Sequence, residues 1–205
     1  MRVFDVSPRT RGIEKWQTWW SMCLKPWIVD YVDPRHFDFL LYLDADVLAT
    51  APRLEQIVSG PLERGRIAVQ RDILKIRGNH RCTARDELTE EEKLRFGDEG
   101  ICAGIVGVPT NRTGLELLRD WRAAIEVRKY NGGDQVPLYP LLLRGFLGRW
   151  EYLTDTVIAR KTTHPEALQH FSNGGGVAEK KLGREDRLFY ETFARLAAAG
   201  GSSAA

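Results

Sequence analysis

The chain of 205 residues is 43% hydrophobic and 10% aromatic, and it sets 30 Lys and Arg against 28 Asp and Glu. This composition excludes a disordered chain, and a net charge of +2 with interleaved signs gives no electrostatic footprint for nucleic acid. No run approaches the ~18 apolar residues of a membrane span, and the length fits one domain, read here over residues 1–199 with 200–205 as a frayed tail.

In chain order, the opening MRVFDVSPRTR lacks the apolar core of a signal peptide. Trp16, Trp20, Cys23, Trp27 and Tyr31 then recur at helical spacing, interrupted by Pro26, which either kinks one helix or opens a second. After the Asp33-Pro34 break, Phe39 to Leu43 is a continuous apolar run, as expected of a strand buried on both faces. A short helix is expected over Leu54 to Val58 and a short strand over Arg66 to Gln70.

The segment Arg71 to Gly100 is polar, and Thr89 followed by Glu92 is a capping-box signal for a helix start. Ile101 to Val108 reads as a buried strand with close backbone approach at Gly104 and Gly107. Thr113 to Tyr130 is the clearest amphipathic helix, carrying Leu117, Leu118, Trp121, Ile125 and Arg128. Asn131-Gly132-Gly133 stops it, and Asp134 is placed to cap a further helix with Pro137 in its first turn.

Trp150 to Val157 alternates like a strand and Leu168 to Phe171 is a short one. A loop over Ser172 to Gly183 and a terminal helix ending near Ala198 complete the chain. Strands alternating with helices predict an α/β domain with a mixed, mostly parallel sheet. Cys23, Cys82 and Cys102 are too scattered for a zinc pattern, and their odd number argues against a closed disulfide framework.

The chemistry concentrates in two places. Asp44 and Asp46 end an apolar strand one residue apart, so both carboxylates can reach one hard divalent cation. Thirteen aspartates give about one such match by chance, so context has to decide between a metal site and carboxylates capping a turn. His170 stands at a strand end beside Gly174, Gly175 and Gly176, with Lys180 following. An imidazole there can complete a metal site, and the glycine-rich turn with Lys180 can cradle phosphate oxygens.

Together these features resemble the metal-dependent nucleotide-sugar glycosyltransferases of the GT-A fold, most closely the retaining family of glycogenin and the bacterial lipopolysaccharide galactosyltransferases. Leu41-Tyr42-Leu43-Asp44-Ala45-Asp46 looks like the family's Asp-x-Asp strand. Glu99 to Val106, with Ala103-Gly104, looks like its Asn-Ala-Gly strand, and Gly133-Asp134-Gln135 like its Asp-Gln motif. His170-Phe171 with the glycines and Lys180 is similar to its late His motif, and Lys25 to a basic residue that meets the donor.

The resemblance implies a GT-A-like, Rossmann-like domain that transfers a sugar from a UDP-type donor, with retention, using Mn²⁺ or Mg²⁺. It implies that Asp44, Asp46 and His170 hold the metal, with Asp44 also at the ribose. Lys180 and the backbone of Gly174, Gly175 and Gly176 would hold the diphosphate. Asp134 would bond sugar hydroxyls, with Gln135 on the face opposite the leaving group. Ala103 and Gly104 would let the sugar approach the backbone. Read from the residues alone, other roles stay open: a helix cap for Asp134, solvation for Lys25 and Lys180, packing for Gly104.

Two departures from the family pattern stand out. Cys102 replaces the usual Asn, and only 43 residues precede Asp44, where the family places a base-binding strand and further α/β structure. The N-terminal part is therefore expected to be abbreviated or truncated. That motivates a second reading, an inactive transferase-like domain acting in binding through Trp16, Trp19, Trp20 and Trp27, which alternatively are core.

A third reading is a haloacid-dehalogenase-type phosphatase with Asp44 as nucleophile, since that class also opens on an apolar strand ending in Asp-x-Asp. The acceptor, whether glycan, protein or small molecule, is not legible in the sequence. Neither is the oligomeric state, nor the compartment, cytoplasmic or, for a truncated chain, the Golgi lumen.

Overall fold

The computed structural model describes residues 23–44, 47–49, 60–72, 88–96, 100–128, 133–153, 158–160 and 168–170. The chain divides into two compact units. One runs to Tyr42 and resumes over Pro61–Tyr152; the other comprises Leu43–Gly60 and Leu153–Ala205.

The first unit holds a four-stranded sheet. Its strands are β1 (Phe39–Leu43), β3 (Ile67–Asp72), β4 (Gly100–Pro109) and β5 (Trp150–Tyr152), in the order β1-β4-β3-β5. β3 runs antiparallel to β4 and parallel to β5. The architecture is α/β as expected, but the sheet is mixed and not mostly parallel. Every residue of β4 is buried, because it lies between two strands and under helices. β1 ends the described sheet, and only Leu40 of its five residues is buried, so the expectation of burial on both faces does not hold.

Besides the helical residues 61–63, three longer α-helices pack in this unit among the described residues. α1 (Glu90–Phe96) opens on the capping box: Thr89 N–H donates to Glu92 Oε2 at 2.8 Å and Glu92 N–H to Thr89 Oγ1 at 3.2 Å. Arg144 then grips the same carboxylate at 2.7 and 2.9 Å. α2 (Arg112–Val127) is capped by the Asn111 side chain, which accepts from Gly114 N–H. Its buried stripe is the predicted one, Leu117, Leu118, Trp121 and Ile125. Gly114 lies against the end of β4 so closely that a Cβ there would sit 1.8 Å from the Pro109 carbonyl oxygen.

α3 (Gln135–Gly145) follows Gly133, whose φ of +74° turns the chain through the left-handed region glycine tolerates. Pro26 lies in the first turn of a 3-10 helix over Lys25–Asp30; the residues that would tell a kinked helix from two lie outside the described ones. The core packs Cys23 and Trp27 of this segment against β3, β4, α2 and α3. Full burial of each large side chain in it contributes about 1.5–3 kcal/mol.

The second unit holds β2 (Val47–Ala49), β6 (Ile158–Arg160) and β7 (Leu168–His170) in the order β2-β7-β6. β7 is antiparallel to β2 and parallel to β6. β2 and β6 are too short to announce themselves in the sequence. The helix expected over Leu54 to Val58, the end of the strand expected over Trp150 to Val157, the tryptophans before Cys23, the loop and helix beyond Phe171 and the tail lie outside the described residues.

Candidate functional site

In the first unit, Lys25, Ala103, Asp134 and Gln135, far apart in sequence, form one bonded cluster. Its starting point is an irregularity in β4. Val69 pairs with Val106 and the next residue, Gln70, pairs with Cys102, so Ala103, Gly104 and Ile105 have no opposite number on β3. Such a bulge frees backbone groups from the ladder and is a common device next to binding sites. Two side chains engage the backbone of Ala103. Lys25 Nζ donates to its carbonyl at 2.6 Å, and its N–H donates to Gln135 Oε1 at 3.2 Å.

Lys25 is the hub. Its ammonium also lies 2.5 Å from Asp134 Oδ2 and 4.8 Å from the centre of the Tyr42 ring. A lysine that is 4% exposed needs such partners, since an unpaired buried charge is strongly disfavoured. Asp134 stands at the N-cap of α3, yet its side chain makes no capping bond; the carboxylate turns to Lys25 instead. Trp121 Nε1 donates to the Asp134 carbonyl at 2.7 Å, tying α2 to the start of α3.

The Cys23 thiol nearby is pushed up to about 12, first by burial and then by the negative Asp134, with Lys25 opposing. Cys102 is buried in β4. A cavity of about 10 Å³ lies beside Lys25, Tyr42, Val106 and Trp121. That is at the lower limit for one water and far below the size of a sugar ring. Asp134 and Ala103 are 2% and 1% exposed, whereas Gln135 is only partly buried.

In the second unit, Val47 joins two of the predicted metal-site positions through the backbone. Its N–H donates to the Asp44 carbonyl at 3.0 Å, and its Cα is the register partner of His170. Asp44 is half-buried. Asp46, Gly174, Gly175, Gly176 and Lys180 lie outside the described residues, as does the His170 side chain. Among the described side chains no three His, Cys, Asp or Glu form a cluster. Two carboxylates with an imidazole are a donor set that suits Mn²⁺ better than Mg²⁺, which prefers oxygen ligands alone.

No family model matches the chain, and no curated protein is recognisably similar to it. The reading of the site therefore rests on these contacts. Sequence reasoning missed Tyr42 and Trp121 as members of the cluster; their aromatic spacing signals only core. No helix among the described residues is long and apolar enough to cross a membrane.

Proposed function

We propose that the chain is a GT-A-type, metal-dependent glycosyltransferase that moves a sugar from a nucleotide-diphosphate donor, a uridine one, to an acceptor with retention. One observation carries the reading. Four residues singled out by the resemblance for donor binding, Lys25, Ala103, Asp134 and Gln135, join through an ion pair and side-chain bonds to the β4 bulge. In the second unit, the register of Val47 with His170 and its bond to Asp44 support the metal assignment.

Asp44, Asp46 and His170 would hold the cation. Bound there, it would act as a Lewis acid, neutralising the diphosphate as it leaves. Lys180 and the amides of the Gly174–Gly176 turn would donate to the phosphate oxygens. Gln135 would present its amide to the donor sugar, with its oxygen held by the Ala103 N–H. Asp134 pairs with Lys25 at the start of α3. The Ala103–Ile105 bulge, itself buried, meets α3 where Gln135 begins it.

The experiment is release of UDP from UDP-glucose and UDP-galactose, with Mn²⁺ and with chelator. Metal-dependent release from either supports the proposal. Release of inorganic phosphate from a phosphomonoester, abolished in Asp44→Asn, with no turnover of either sugar nucleotide, would replace it with the phosphatase reading.

A further inference from the structure

Gln135, like Tyr42, is only partly buried, and the cluster's bonds converge on it. Gln135 opens α3, and the residue before it, Asp134, is fixed twice: by Lys25 at its carboxylate and by Trp121 at its carbonyl. The Gln135 amide is fixed a third way, through the Ala103 N–H, while Lys25 holds the carbonyl of the same Ala103. The ammonium lies within reach of the Ala103 carbonyl, the Asp134 carboxylate and the Tyr42 ring.

We infer that Lys25 and Asp134 are positioning residues that orient the Gln135 amide, acting on a ligand through Gln135 and the Ala103 peptide without touching it. As a statement about a donor sugar this rests on the transferase reading; as a statement about Gln135 it does not. The physical ground is that a buried ion pair bonded to the adjacent backbone holds its neighbours in one arrangement. Small misplacement of a group at a reacting centre costs up to roughly 100-fold in rate.

The test follows the Gln135 side-chain amide by ¹⁵N NMR, identified by its loss in Gln135→Glu. It compares wild type, Lys25→Met and the charge-balanced double variant Lys25→Met/Asp134→Asn, which keeps the question answerable where the single variant does not fold. The Gln135 signal is expected to shift or broaden in the folded double variant. In parallel, kcat for Mn²⁺-dependent turnover of UDP-glucose or UDP-galactose should fall roughly 10–100-fold, with KM changed by about twofold or less. An unmoved Gln135 signal overturns the inference. So does a rise in KM with kcat intact, which would make Lys25 a donor contact. Wild type that turns over neither donor sinks the transferase reading instead, and the NMR arm alone then decides the positioning role.

Discussion

Lys25 and Asp134 form a buried ion pair at 2.5 Å, with side chains 3% and 4% exposed, linking the 3-10 helix that Pro26 opens to the first turn of α3. Removing one partner strands the other charge, so Lys25→Met and Asp134→Asn should each destabilise by about 3–5 kcal/mol. The double variant should recover part of the loss, with a coupling of about 1–3 kcal/mol in urea unfolding. Losses that simply add would show that the pair is not coupled.

Gly114 admits no side chain. A methyl group there would meet the Pro109 carbonyl oxygen and the Val108 side chain, neither of which can withdraw without moving β4 or α2. Gly114→Ala should therefore cost about 1–3 kcal/mol or more, although alanine is the better helix former. Thermal unfolding checks this, and a neutral or stabilising outcome would show that the junction of β4 and α2 is looser than described.

Glu92 joins α1 to α3. The Arg144 guanidinium, and then the Thr89 N–H, lower its carboxyl from an ordinary 4.5 to about 2. A depressed carboxylate contributes stability above its unfolded value, and that contribution is lost as pH falls toward the folded value. Wild type should exceed Glu92→Gln in Tm at pH 6, and the gap should close between about pH 4.5 and 2. A gap independent of pH would count against the Arg144 contact.

Cys23 should be inert. Its thiol, held up to about 12, supplies almost no thiolate at pH 8.5. Iodoacetamide should leave it unmodified in the native protein and label it on unfolding, read by mass spectrometry. Asp134→Asn, which removes one of the charges holding it up, should speed labelling in the folded state. Labelling of native wild type at the rate of a free thiol would contradict the buried arrangement.

Much of the first unit was legible because its signals are local. The capping box at Thr89 and Glu92, the Leu117-to-Ile125 stripe and the apolar run of β4 each appear at or near the expected positions. Strand direction was not legible. An all-apolar strand reports burial on both faces, and that burial does not depend on whether the neighbouring β3 runs parallel or antiparallel. β2 escaped notice because three residues carry no period, and its partner β7 lies more than a hundred residues away. In the candidate site, the motif order brought Lys25, Ala103, Asp134 and Gln135 into view. The bulge that unites them depends on the register with β3, which no spacing within β4 reveals.

The most direct test of the account is calorimetric titration of UDP into the protein with Mn²⁺ and again with chelator, for wild type, Asp46→Ala and His170→Ala. The account predicts binding heat with Mn²⁺ only, and its loss in both variants. Absence of binding under every condition, or metal-independent binding unchanged by both substitutions, would contradict it.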